Sequence, residues 1–257
     1  MTRLLYPFSG LGALVLLASC AMPPEGAGER AERPGVRPAV AGVGRDYWGH
    51  RAGPRGFKTI ILDAGHGGKD SGAPSKSTGL LEKNVTLDVA KRLRTELARD
   101  FHVILMRSDD TFVELDERVA RANRQDDAVL VSIHFNSGPG YLRGPETYFW
   151  RVDSHGLAQR LQRALTQMSP GPMTNRGLVR RRLRLTRNPE IPCVLVEGGY
   201  LSNTAEARLL SKPAYRQCLT IAIASAIRSQ AALGDAGTGP LPPPLTAPPS
   251  RASDRRE

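Results

Sequence analysis

Between residues 57 and 232 the chain alternates short apolar runs with stretches in which every third or fourth position is apolar. The runs at 59–62, 103–107, 128–133, 147–150, 178–185 and 193–197 predict strands. A helix is predicted from Glu82, where Val85, Val89, Leu93 and Leu97 recur at spacing four, and another from His155, with Leu157, Leu161, Leu165 and Met168 on one face. The last helical region opens at Asn203-Thr-Ala-Glu206, an N-cap residue with Glu three positions later. It resumes after Pro213 and ends near Ala232, with Leu219, Ile223 and Ile227 in line. Strands separated by helices predict a single α/β domain, a roughly six-stranded, mostly parallel twisted sheet with helices on both faces.

The flanks are of a different kind. Residues 1–19 carry Arg3 and an apolar run broken by Pro7, Ser9 and Gly10, the pattern of a secretory signal and too short for a membrane span. The run ends in Leu17-Ala-Ser-Cys20, which resembles the bacterial lipobox and implies cleavage before Cys20 and acylation of its thiol. Ala21 after that cysteine favours the outer membrane, so the expected location is exported, periplasmic and lipid-anchored. Residues 20–56, rich in Pro, Gly, Ala and Arg, read as a flexible tether spanning roughly 30–35 Å, and 233–257 as a Pro-rich disordered tail. Cys193 and Cys218 are left to pair with each other or to stay as separate buried thiols.

The formal net charge of +11 points to polyanionic neighbours. Nucleic acid is disfavoured: aromatics are only 5% of the chain, with no zinc-finger spacing and no aromatic-rich strand for base stacking. Anionic wall polymer or a lipid surface fits the same charge.

Four side chains stand where strands end or helices begin: His66 in Asp63-Ala-Gly-His-Gly-Gly68, Glu82 in Leu80-Leu-Glu-Lys-Asn84, His134 in Val131-Ser-Ile-His-Phe-Asn136, and Glu197 in Val194-Leu-Val-Glu-Gly-Gly199. In α/β sheets ligands bind beyond the carboxyl ends of the strands, where His66, His134 and Glu197 fall. Two imidazoles and one carboxylate suit a catalytic zinc, which takes three protein ligands and lowers the pKa of water to roughly 7. Glu197 then serves as general base. Each residue also has a plainer reading: His66 as a turn residue, Glu82 as a helix-start carboxylate, His134 as a core histidine. A carboxylate such as Glu197 after Val-Leu-Val is costly to bury without a partner. His50, His102 and His155 suggest no role. Gly65-His-Gly-Gly-Lys69 lacks P-loop spacing and has Asp70 after the lysine; GxGxxG, GxSxG and HExxH patterns are missing.

The segments Leu62-Asp-Ala-Gly-His-Gly-Gly-Lys-Asp-Ser-Gly-Ala73, Glu82-Lys83, Ser132-Ile-His-Phe-Asn136 and Leu195-Val-Glu-Gly-Gly-Tyr-Leu-Ser-Asn203 together resemble the zinc-dependent N-acetylmuramoyl-L-alanine amidases of bacterial cell walls. Asp110-Thr-Phe-Val-Glu-Leu-Asp-Glu-Arg118 and Asn175-Arg-Gly177 match the family's intermediate segments. The resemblance implies Zn2+ held by His66, Glu82 and His134, catalysis by Glu197, and peptidoglycan as substrate. Members restrained by an autoinhibitory helix carry a long insertion after the strand near Tyr148; here only Arg151-Val-Asp-Ser154 joins strand to helix, which implies a constitutively open site, or control by tethering rather than by a plug. The rival expectations are another zinc peptidase acting on wall peptides and a non-catalytic wall-binding lipoprotein on the same fold.

Overall fold

β1 (Thr59–Ala64), β3 (Ala128–Asn136) and β6 (Cys193–Tyr200) lie side by side and parallel at the centre of a six-stranded sheet. Strand order is β2-β1-β3-β6-β4-β5. β2 (His102–Leu105) is parallel to β1 on one edge. On the other edge β4 (Glu146–Phe149) runs antiparallel to β6, and β5 (Gly177–Arg180) is parallel to β4. This computed structural model describes residues 53–168 and 174–242. The expected signal segment, Cys20, most of the tether and most of the tail lie outside the described residues.

Alternation along the central strands sorts side chains onto two faces. Ile60, Leu62, Val129, Val131, Ile133, Val194 and Val196 pack into the larger apolar cluster beneath α1 (Glu82–Leu97), α3 (His155–Gln167) and α6 (Pro213–Leu233). Ile61, Leu130 and Cys193 face the opposite way, under α2 (Leu115–Ala122) and α4 (Arg184–Arg187). Burial on both faces explains why these strands read as continuous apolar runs. The chain continues from β6 into α5 (Thr204–Leu210).

Several elements depart from the sequence expectation. The run at 178–185 is strand only to Arg180; the chain then turns into α4, whose Thr186 hydroxyl donates to the Arg181 carbonyl and accepts from the Leu183 amide. α2 was not expected at all. Asn203 caps α5 through the amides of Ala205 and Glu206, but the Glu206 carboxylate accepts from Tyr200 and Gly144 instead of closing a capping box. Cys193 is a free, fully buried thiol donating to the Thr186 carbonyl, so it forms no disulfide with Cys218. Burial pushes its pKa up to about 12. Gly53 and Asp235, expected in the tether and the tail, are joined by a 2.8 Å hydrogen bond and belong to the fold. A single 3-10 turn, Val152–Ser154, links β4 to α3. Among the described residues no helix is long and apolar enough to cross a membrane.

Candidate metal centre and active site

His66 stands two residues beyond β1 with φ 61°, a left-handed conformation rare for a residue with a side chain, followed by Gly67 and Gly68, also at positive φ. Two buried arginines hold this turn. Arg107 donates to the carbonyls of Ala64 and Gly65 (both 2.9 Å). Arg118 donates to the carbonyls of Ala64 (3.0 Å) and His66 (2.8 Å) and pairs with Asp63. Asp63 is fully buried and also accepts from the Ser132 hydroxyl at 2.7 Å. Lys83 and Asp110 pin Gly68 from outside. The strained turn is therefore over-determined by its surroundings, the condition under which such backbone persists.

Glu82 is the first residue of α1, where the helix dipole favours an anion. Its carboxylate is buried and held on both sides: Oε1 accepts from the Phe135 amide at 3.0 Å and Oε2 from the Ala73 amide at 2.8 Å. Oε1 also lies 3.0 Å from His66 Nε2 and 3.1 Å from His134 Nδ1. Asp70 takes the other ring nitrogen of His66 at 2.7 Å, which fixes the ring and leaves Nε2 toward the centre.

This donor set fits a divalent cation. One ligand atom from each of His66, Glu82 and His134 lies within 4.8 Å of the others, and two neutral imidazoles with one carboxylate are the ligand types zinc prefers. The backbone leaves the space clear: a Cβ on Gly65 would come within 2.3 Å of the His134 ring, and one on Gly72 within 2.6 Å of both the Glu82 carboxylate and the His66 ring. A cavity of about 190 Å³ opens beside the imidazoles, walled in part by Phe112, Val113, Leu115 and Leu185, with Asp70 and Glu114 also lining it.

Burial raises the Glu82 pKa, but the two imidazoles outweigh it and hold the carboxyl well below the usual carboxylate range. Burial lowers the His66 pKa, yet hydrogen bonding and charge from Glu82 and Asp70 outweigh this and push it up to about 9. A raised imidazole pKa stabilises the metal-free fold in full below about 6.5, and that contribution fades as pH climbs through the folded value. The same proton competes with a metal. Apparent zinc affinity is expected to rise by as much as roughly tenfold per pH unit from pH 6 toward 9. Calorimetric titration in buffers of different ionisation enthalpy measures this, and an affinity indifferent to pH would contradict it.

Glu197 lies on β6 as the register partner of His134 on β3, so both side chains leave the sheet on the same face. Beyond Glu197 the β3–β6 register slips: His134 pairs with Glu197 but Asn136 with Tyr200, so β6 carries one extra residue. Gly198 and Gly199 form this bulge. A Cβ on Gly198 would meet the Phe135 ring at 2.7 Å, and Gly199 has φ 144°. Strict alternation would turn Tyr200 away from Glu197; the extra residue returns it to the same face, where its hydroxyl meets Asn136 and Glu146, each at 3.2 Å.

The structure thus brings together His66, Glu82 and His134 and sets Glu197 in the neighbouring strand. Sequence reasoning gave no part to Asp70, Asp63, Arg107, Arg118, Glu146 or Arg176. Asp70 could have been found from its position four residues after His66 in a glycine-rich turn. His155, to which no role was given, packs against Phe149 with ring centres 5.2 Å apart. His102 begins β2, and His50 lies outside the described residues.

A parallel-centred α/β sheet with a His/Glu/His group at its carboxyl edge that could hold a divalent cation defines a single-domain α/β protein of the amidase class. The chain belongs to the N-acetylmuramoyl-L-alanine amidase family, which matches residues 60–229. It is 37% identical over 177 residues to a probable cell wall amidase, LytH, of Staphylococcus epidermidis, a match covering 66% of this chain and 57% of that relative's length. Among solved structures it is similar to an N-acetylmuramoyl-L-alanine amidase from Clostridium difficile 630, with TM-score 0.64, 31% identity and coverage of 68% of this chain and 97% of that one. The catalytic domain of CwlV, an amidase from Bacillus (Paenibacillus) polymyxa, gives TM-score 0.62 and 36% identity, covering 67% and 97%.

Proposed function

We propose that the protein is a zinc-dependent peptidoglycan hydrolase that cleaves the amide between N-acetylmuramic acid and the L-alanine of the stem peptide. The observation that carries this reading is one carboxylate oxygen, Glu82 Oε1, lying 3.0–3.1 Å from a ring nitrogen of each of two histidines. His66, Glu82 and His134 would hold the metal. Zinc, when bound there, supplies Lewis acidity that acidifies water and polarises a carbonyl. Glu197 accepts the proton of the attacking water and returns it to the departing amine, the work of a positioned carboxylate. Asp70 holds the His66 ring, and Arg107 and Arg118 hold the backbone beneath it.

Glu146 on β4 is the register partner of Glu197, and its oxygens accept from Asn136, Tyr148, Tyr200 and Arg176. Those donors occupy its lone pairs, so the general-base role is assigned to Glu197 rather than to Glu146. A pure binding protein has no use for that residue, so the enzyme reading is favoured over the wall-binding one. Anchoring through an acylated Cys20 would place the enzyme at a periplasmic, outer-membrane surface facing the wall.

The deciding experiment is mass spectrometry of sacculi digested with the zinc-loaded protein. Free stem peptides beginning at L-alanine are expected. Shortened peptides would instead assign a peptidase, and unaltered muropeptides a binder. His66→Ala and His134→Ala are each expected to lose most bound zinc along with the activity; full zinc content in either would remove that histidine from the ligand set.

A further inference from the structure

Across the carboxyl edge of the sheet, functional side chains form a row. His134 on β3 pairs in register with Glu197 on β6, Glu197 with Glu146 on β4, and Glu146 with Gly177, the first residue of β5. Arg176 immediately precedes that glycine. Glu146 is 6% exposed and anchored by four donors: the Tyr148 hydroxyl at 2.6 Å, the Tyr200 hydroxyl and Asn136 amide at 3.2 Å each, and the Arg176 guanidinium. Arg176 uses Nε for Glu146, and its guanidinium carbon lies 5.4 Å from the centre of the Tyr200 ring. Its side chain is 31% exposed. The guanidinium is thus fixed from below, by Glu146 and by a further hydrogen bond to the Tyr200 side chain, and its exposed remainder is the part a ligand can reach. Planar, pre-oriented guanidinium is the group that recognises carboxylates best.

The distances suit one position on the substrate. Neighbouring strands are about 4.8 Å apart, and Arg176 reaches from the β5 side to Glu146, so its head group lies between one and two strand spacings, roughly 5–10 Å, from Glu197. A peptide advances by about 3.5 Å per residue. A carboxyl group carried by the second residue after the scissile amide, about 7 Å away, falls within reach.

We propose that Arg176 is the carboxylate-binding residue of this site, taking the free carboxyl group on the second residue of the stem peptide, with Glu146 as its positioning residue. The inference rests on the amidase reading above and names the part of the substrate that the site selects. Without a ligand the Glu146–Arg176 pair could serve only to dock edge strand β5, and the test separates the two roles.

Two N-acetylmuramoyl-L-alanyl peptides are compared that differ only in the second residue's free carboxyl group, acid in one and carboxamide in the other. The zinc-loaded wild-type protein is expected to cleave the acid with kcat/KM about tenfold higher than the carboxamide, chiefly through KM. Arg176→Gln is expected to bring that ratio to about one, and Arg176→Lys to keep part of it. A purely structural role would slow both substrates equally and leave the ratio unchanged. An unchanged ratio in Arg176→Gln, or no preference in the wild type, would overturn the proposal. Cleavage of neither peptide by the wild type would sink the amidase reading and this subsite with it, a result distinct from cleavage of both without preference. Should Arg176→Gln fold poorly, Glu146→Gln provides the second variant: it removes the anchor while keeping the guanidinium, and is expected to weaken the preference. Full preference retained there would also count against the proposal.

Discussion

Replacing Glu197 by Gln is expected to lower amide hydrolysis by roughly 10²- to 10⁴-fold while leaving zinc content unchanged. The substitution keeps the shape of the side chain and one carbonyl oxygen but removes the capacity to take a proton. Each tenfold of lost rate is about 1.36 kcal/mol of activation free energy, so the expected effect is about 3–5 kcal/mol, far beyond what a surface carboxylate contributes. Zinc is expected to stay because the close donor set consists of His66, Glu82 and His134, with Glu197 one strand away from His134. Two measurements suffice: elemental analysis of the purified variant and its kcat on muropeptides. A wild-type rate would move the base elsewhere, and loss of zinc would make Glu197 a ligand.

What could be read from the sequence follows a physical division. α1, α3 and α6 are long enough for an apolar spacing to repeat, so their buried faces were legible from residues such as Val85, Val89, Leu93 and Leu97. α2 is short and has four charged residues among its eight, and Leu115, Val119 and Ala122 are too few to stand out as a period. The reversal of β4 could not be read, because strand polarity is set by the pairing partner. The run at 178–185 looked like one strand because Leu and Val dominate its apolar positions. As an edge strand with one partner, β5 ends after four residues and gives way to α4.

At the site the ligands were legible because His and Glu at the ends of apolar strands are conspicuous. Their supports were not. Arg107, Arg118, Asp63 and Glu146 are charged, and in sequence a charged residue reads as solvated surface. Their burial depends on partners tens of residues away, 55 positions for Asp63 and Arg118. The bulge at Gly198–Gly199 was equally invisible, because a two-glycine step acquires meaning only against the strand beside it. Such places, where local expectation fails, mark where the fold has been shaped around chemistry.

Arg118→Ala is expected to destabilise the metal-free protein by about 3–5 kcal/mol, because it leaves the Asp63 carboxylate buried without its cation. Asp63 has no solvent access and would keep only the Ser132 hydroxyl among its hydrogen-bond partners seen here. The carbonyls of Ala64, His66 and Val113 would lose a donor at the same time. For a domain of this size the melting temperature should fall by roughly 6–20 °C. Asp63→Asn combined with Arg118→Met removes both charges and is expected to recover part of that loss, since the uncompensated ion dominates the penalty. It cannot restore the hydrogen bonds that hold the His66 turn. Zinc affinity in the double variant should therefore remain about 10- to 100-fold below wild type, as when other outer supports of a metal ligand are removed. Recovered stability with unrecovered affinity would separate the electrostatic role of the pair from the positioning of His66. A melting temperature for Arg118→Ala within a degree or two of wild type would mean that Asp63 finds another partner and that the turn holds its shape unaided.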